Sequence, residues 1–268
     1  MDYRLIALDL DHTLLNDDFK ISARNLEALQ KAASNGIKVT IATGRMFRSA
    51  LPYARQLGVK LPLITYHGAL IKEVAGEQKI LRKWCIPKDL ALEIIGLGEA
   101  EGFHINLYIN DTLYVKEENE NTKFYKGIAA IPLEIVGDLA DYLEQAQDEP
   151  IKLSIINREG RLQNLQIKLK EKYGTELSIL ISRPDFLEIT YKEATKGKAL
   201  QYLAERENIL ASQTIAIGDN YNDVDMLQYA GIGVAVSNAP PDVQKEANFV
   251  TGTNTEDGVA LFLERYIL

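Results

Sequence analysis

Asp9 and Asp11 stand two residues apart at the end of an apolar run, Leu5-Ile6-Ala7-Leu8. Three segments far from them carry groups of matching chemistry: Thr43-Gly44, Lys196-Gly197 and Gly218-Asp219-Asn220-Tyr221-Asn222-Asp223. Together they offer several carboxylates, a hydroxyl, a backbone amide, an ammonium and a side-chain amide. Two like charges as close as Asp9 and Asp11 are costly unless a cation or a shared proton relieves them. Carboxylates hold magnesium through hard oxygen ligands, and the metal neutralises phosphate oxygens that would otherwise repel an attacking carboxylate. The Thr43 hydroxyl, the Gly44 amide and the Lys196 ammonium suit the remaining oxygens. A carboxylate nucleophile splits one hard displacement into two easier ones through an aspartyl phosphate. If the four segments share one sheet edge, the inventory is that of a phosphoryl-transfer site.

The elements that must position these groups read as a parallel α/β layer. Tyr3–Leu8 is a strand apolar enough to be buried on both faces. Ser22 caps a helix over Ala23–Ala33, and Asn35-Gly36 stops it. Ile37–Ala42 is a second strand, followed by a helix expected to be interrupted near Pro52 and closed at Leu57-Gly58. Leu63–Thr65 is a third strand. This alternation implies parallel pairing with right-handed crossovers, and ligands of such sheets bind beyond the carboxyl ends of the strands. The pattern returns after residue 190, with a helix over Lys196–Arg206, a strand over Thr214–Ile217, a helix over Asp223–Tyr229, a strand over Gly233–Val236 and a last helix over Asp257–Tyr266. Between them the grammar changes. Strands grouped in hairpins, among them His104–Tyr108 and Thr112–Val115 around an Asn110-Asp111 turn, alternate with helices. The expected organisation is a catalytic α/β core at 1–82 and 191–268, a doubly wound, Rossmann-like parallel sheet, with an α+β cap domain inserted at 83–190.

At these residues the chain resembles the haloacid-dehalogenase superfamily of phosphatases, and within it the Cof-type, sugar-phosphatase-like branch with a large cap. Asp9-Leu10-Asp11-His12-Thr13-Leu14-Leu15 matches the first family motif and Ala42-Thr43-Gly44-Arg45 the second. Lys196-Gly197-Lys198-Ala199-Leu200 matches the third. Gly218-Asp219-Asn220-Tyr221-Asn222-Asp223-Val224-Asp225-Met226-Leu227 matches the fourth. The resemblance implies that Asp9 is the nucleophile and a magnesium ligand. It makes Asp11 the general acid and then the base, with its backbone carbonyl on the metal. The Leu10 amide, Thr43, Gly44, Lys196 and Asn222 would hold the phosphate. Asp219 would be a carboxylate ligand of Mg2+, with Asp223 in or just behind the ligand set. The cap would close over a small phosphorylated metabolite, such as a sugar phosphate, and exclude water. Three departures stand out: His12 where the motif often has glycine, His67 where relatives often show asparagine, and Arg45, able to steer an anionic substrate or to pair with an acidic neighbour. Asp225 reads as a helix-surface carboxylate. For Asp11, a neighbouring carboxylate and partial burial are expected to keep the side chain protonated near neutral pH, facing the leaving group.

Composition narrows the rest. The chain has 268 residues, a net charge of −8 and a single cysteine, Cys85. The acidic balance argues against a nucleic-acid or anionic-membrane surface. One cysteine excludes an intramolecular disulfide and a Cys-rich metal site, and Cys85 reads as a small buried hydrophobe. Neither a signal peptide nor a run of about 20 apolar residues is recognisable, so a cytoplasmic location is expected. The competing readings are a phosphosugar mutase using the same Asp9, separated by conversion of a 1-phosphate to a 6-phosphate, and a non-enzymatic phospho-aspartate receiver, separated by multiple turnover.

Overall fold

A computed structural model describes residues 3–129 and 131–268. The chain divides into two compact units, Met1–Arg82 with Thr195–Leu268, and Lys83–Ala194.

In the first unit, five strands among the described residues form one wholly parallel sheet. Its spatial order is Phe249–Thr251, Ile232–Val236, Thr214–Gly218, Leu5–Leu8, Lys38–Ile41. Leu5–Leu8 and Thr214–Gly218 are buried along their whole length, as expected of strands covered on both faces. The chain leaves Leu5–Leu8 through the helix Ala23–Ser34 and moves one way along the sheet to Lys38–Ile41. It leaves Thr214–Gly218 through Val224–Tyr229 and moves the other way to Ile232–Val236. Right-handed crossovers place these two helices on opposite faces, so the sheet is doubly wound. The winding reverses between the two central strands, and the carboxyl ends at such a switch point form a crevice.

Local chemistry starts the helices where the sequence indicates. Ser22 Oγ accepts from the Asn25 N–H at 3.1 Å, and Thr195 Oγ1 accepts from the Lys198 N–H at 3.2 Å, each satisfying a first-turn donor. Pro52 does not interrupt its helix. Phe47–Leu57 runs through it, because one missing N–H costs less than the burial of Phe47, Ala50, Ala54 and Leu57 returns. A small three-stranded sheet, Leu63–Thr65, Leu70–Lys72 and Ile80–Lys83, extends this unit. Its last two strands were not expected.

The second unit is built on a six-stranded sheet ordered Leu177–Arg183, Phe186–Tyr191, Lys152–Ile156, His104–Ile109, Thr112–Val115, Leu133–Ile135. All neighbours are antiparallel except the last pair. Asn110 and Asp111, with φ of 49° and 59°, make the hairpin turn. Helices Lys88–Ala100, Leu139–Gln145 and Leu162–Tyr173 contribute, with Ile105, Leu107, Leu153, Ile155 and Leu187 of the sheet, to one apolar core. Cys85 is only half-buried rather than a core residue. Among the described residues, no helix is long and apolar enough to cross a membrane.

Candidate active site

The parallel ladder runs one residue past the strand Leu5–Leu8. The Asp9 N–H donates to the Ile217 carbonyl at 2.9 Å, which carries Asp9 into the crevice beside Gly218 and Asp219. The chain then turns sharply over Leu10–Leu14, where His12 takes a left-handed φ of 61°. His12 is exposed, and glycine would hold the same turn with less strain.

Three carboxylates from opposite ends of the chain meet here. Asp9, Asp219 and Asp223 are all buried, and each offers an oxygen within 4.8 Å of the others. The Lys196 side chain is fully enclosed. Its Nζ donates to Asp9 Oδ1 at 2.6 Å and to Asp223 Oδ1 at 2.5 Å. The second Asp223 oxygen accepts from the Asp219 and Asn220 N–H groups at 2.9 and 3.0 Å. Asp223 therefore folds its own loop and ties it to Lys196. Thr13 Oγ1 donates to Asp219 Oδ1 at 2.8 Å, leaving that carboxylate's other oxygen to face a ligand.

One ammonium among three carboxylates leaves the cluster short of positive charge. Burial pushes the Asp9 carboxyl up; Lys196 opposes this, while Asp223 and Asp11 add to it. Burial raises Asp219 as well, with Asp9 and Asp223 adding to it. Burial pulls the Lys196 ammonium down, but Asp223 and Asp9 outweigh it and hold the group firmly charged. A hard divalent cation fits such a donor set: all-oxygen, buried, and negative beyond what its lysine neutralises.

The uncharged candidates gather at the same edge. Thr43 is buried, and its Oγ1 accepts from the Arg45 N–H at 3.1 Å, leaving the hydroxyl hydrogen to be donated. The His67 N–H donates to the Thr43 carbonyl at 3.0 Å, and the His67 ring lies against Gly44. Asn222 Nδ2 is 3.1 Å from His67 Nδ1. Leu10 is buried directly behind Asp9.

Asp11 differs from the expectation. Its carboxylate is held by both arms of Arg45, with Nε to Oδ2 at 2.7 Å and Nη2 to Oδ1 at 2.6 Å. A guanidinium favours the charged form of its partner. Burial pushes Asp9, Asp219 and, in the same motif, Asp225 toward protonation, while Asp11 is ion-paired. Arg45 is itself flanked by the Phe19 and Tyr53 rings, 5.7 and 5.2 Å from its guanidinium carbon.

Two residues carry more than their sequence reading. Thr13 orients Asp219; a hydroxyl inside an acidic motif was the available signal. Asp225 is not a helix-surface carboxylate. Its Oδ2 accepts from the Gly197 N–H at 2.8 Å, and a Cβ at residue 197 would stand 2.6 Å from the Asp225 carbonyl oxygen. Glycine there lets the helix Lys196–Arg206 seat its first turn on the fourth motif.

The sequence profile of the haloacid dehalogenase-like hydrolases matches residues 6–263. A Haemophilus influenzae protein, provisionally named a phosphatase, is 34% identical over 265 residues, covering 98% of both chains. The Bacillus subtilis 5-amino-6-(5-phospho-D-ribitylamino)uracil phosphatase YitU is 29% identical over 267 residues, covering 98% of this chain and 97% of its own. A crystal structure from Thermotoga maritima superposes with a TM-score of 0.86 at 33% identity, covering 99% of this chain and 98% of that one.

Proposed function

The chain belongs to the haloacid dehalogenase-like hydrolase family, and from that premise we propose that it is a magnesium-dependent phosphomonoester hydrolase working through a phosphorylated Asp9. One observation carries the reading: three buried carboxylates converge with a single lysine to balance them.

Asp9 and Asp219, with Asp223 close behind and the Asp11 backbone carbonyl, are the residues that would hold Mg2+, which supplies charge neutralisation at the phosphate oxygens. Lys196 grips Asp9 Oδ1, which leaves Oδ2 to attack phosphorus. The new bond joins Asp9 Oδ2 to phosphorus, and the bond from phosphorus to the substrate oxygen breaks. The leaving oxygen takes a proton from Asp11. A water molecule then gives a proton to Asp11 and attacks phosphorus, and the Asp9–phosphorus bond breaks to release phosphate. Lys196, the Thr43 hydroxyl and the Asn222 amide bind the oxygens as charge develops. Asp11 must swing off Arg45 and gain a proton before it can serve as the acid, so Arg45 holds it in a resting position.

The substrate is proposed to be a small phosphorylated metabolite. The name of the ribitylaminouracil phosphatase relative supports that size class, and sugar phosphates belong to it. The test is release of inorganic phosphate from a panel of phosphorylated metabolites with magnesium, repeated with chelator and with Asp9→Asn. Metal-dependent multiple turnover, lost in Asp9→Asn by about a thousandfold or more, is expected. Ordinary turnover by Asp9→Asn overturns the assignment.

A further inference from the structure

We propose that His67 is a positioning residue for phosphate binding, setting the side-chain amide of Asn222 and bracing Gly44. The proposal rests on the phosphatase reading of this site. It gives a role to a residue that departs from the asparagine relatives often show there and that the four motifs do not include.

His67 bridges the second and fourth motifs. Its N–H donates to the Thr43 carbonyl at 3.0 Å. Its Nδ1 lies 3.1 Å from Asn222 Nδ2, across 155 residues of sequence. Its ring covers Gly44 so closely that a Cβ there would stand 2.3 Å from Cε1 and 2.6 Å from Nε2. Three candidate phosphate contacts thus meet at one residue: Thr43 bonds its backbone N–H, while Asn222 and Gly44 lie against its ring.

The backbone conformation supports a specific use. His67 has φ 58° and ψ 24°, a left-handed conformation that side chains other than glycine adopt at a cost. It is 6% exposed. Strain of this kind persists where surrounding contacts over-determine it, and it clusters at functional sites.

The hydrogen bond fixes chemical roles. With the Asn222 amide assigned nitrogen-first toward the ring, Nδ1 is the acceptor and Nε2 carries the ring proton. That bond uses one of the two Asn222 amide hydrogens and leaves the second to donate. An asparagine without such an acceptor can turn over and present its carbonyl oxygen instead. An oxygen aimed at phosphate repels it, whereas an N–H binds it. His67 Nδ1 therefore selects the anion-binding face of Asn222.

The experiment compares His67→Asn with His67→Phe, using p-nitrophenyl phosphate for turnover and inorganic phosphate as a competitive inhibitor. Asparagine tolerates the left-handed backbone and places an oxygen acceptor where Nδ1 was. Phenylalanine keeps a ring over Gly44 and has no acceptor. His67→Asn is expected to keep kcat/KM within about threefold of the parent, and His67→Phe to lose about tenfold or more, the size of one hydrogen bond to a charged group. The loss should appear as weaker phosphate inhibition and a higher KM. A role limited to packing reverses this order and overturns the proposal. Because phenylalanine strains the backbone, His67→Ala is measured alone and with Asn222→Ala. If His67 acts through Asn222, the second substitution masks most of the His67→Ala loss; independent, multiplying losses overturn the proposal. Parent enzyme that releases no phosphate from any ester overturns the phosphatase reading, whereas active parent enzyme with the reversed order of variants overturns only the role of His67.

Discussion

Lys196 and Lys152 are both buried, one in each unit, and they are compensated in opposite ways. In the second unit Lys152 Nζ meets Glu188 Oε2 at 2.5 Å and lies 4.8 Å from the Tyr108 ring centre. Ser154 donates to the other Glu188 oxygen at 3.4 Å. One cation answers one anion, within a polar sheet face where Asn106, Tyr108 and Tyr125 also bond to one another. In the first unit Lys196 answers two carboxylates directly, and Asp219 makes a third. A balanced buried pair asks for nothing further. An unbalanced cluster remains costly until another positive charge arrives, so the excess of negative charge, rather than burial of a lysine, marks a reaction site.

Removing each lysine should break the comparison most sharply. Lys196→Met is expected to reduce phosphate release by about a thousandfold, because charge developing on phosphate loses a preorganised cation. Lys152→Met strands Glu188 in a buried setting, and removal of one member of a buried pair costs about 3–5 kcal/mol. Its signature is therefore a lowered unfolding temperature of the second unit, followed by calorimetry. If Lys196→Met still turned over at a comparable rate, the two lysines would be equivalent structural features and the contrast would fail.

The metal sharpens the same contrast through pH. Burial pushes Asp9 up to about 7 and Asp219 up to about 9, while unfolded carboxylates titrate near ~4. Between those limits the folded protein binds more protons than the unfolded chain, so without metal its stability falls as pH rises. A cation on the deprotonated cluster reverses the trend. The expected result is little effect of magnesium at pH 5 and a clear rise in unfolding temperature at pH 8, equivalent to ~2.7 kcal/mol at a hundredfold excess over Kd. Glu188→Gln should leave this magnesium response intact. A magnesium effect equal at both pH values would detach the ion from the carboxylates.

Much of this was legible in the sequence because the signals are short-range and chemical. Continuous apolar runs as short as Leu5–Leu8, bounded by polar residues, read as strands buried on both faces, and Ser22 names its helix start. The site carboxylates sit at strand ends, where the fold class puts ligands. What escaped depends on partners distant in the chain. Ile80–Lys83 is half-exposed and has no buried run to announce it; its pairing alone makes it a strand. Pro52 looked like a breaker because local propensity carries no record of the packing around Phe47–Leu57. Asp11 looked like a group kept neutral by Asp9: Arg45 read as able to pair with an acidic neighbour, but nothing local names Asp11, 34 residues away, as that neighbour. Asp225 looked like surface because helical spacing says which face a residue takes and not which backbone amide lies opposite.

Asp225 gives the smallest expected effect and the finest test of how the charge cluster is held. Its carboxylate ties the Gly197 N–H to the fourth motif, so it acts on the residue next to Lys196 rather than on a substrate. Asp225→Ala releases the first turn of Lys196–Arg206 and lets Nζ wander between Asp9 and Asp223. The loss of one hydrogen bond to a charged group, at the low end about 1.5 kcal/mol because it acts only through Lys196, should lower kcat by roughly tenfold while KM stays near its parent value, since Asp225 itself does not touch the substrate. Asp225→Asn retains an oxygen acceptor for Gly197 and should recover most of the rate. If Asp225→Ala changed unfolding temperature alone, with kcat intact, Lys196 would be fixed well enough by its two carboxylates. The imbalance of charge would then hold the site together without help from the helix that delivers the lysine.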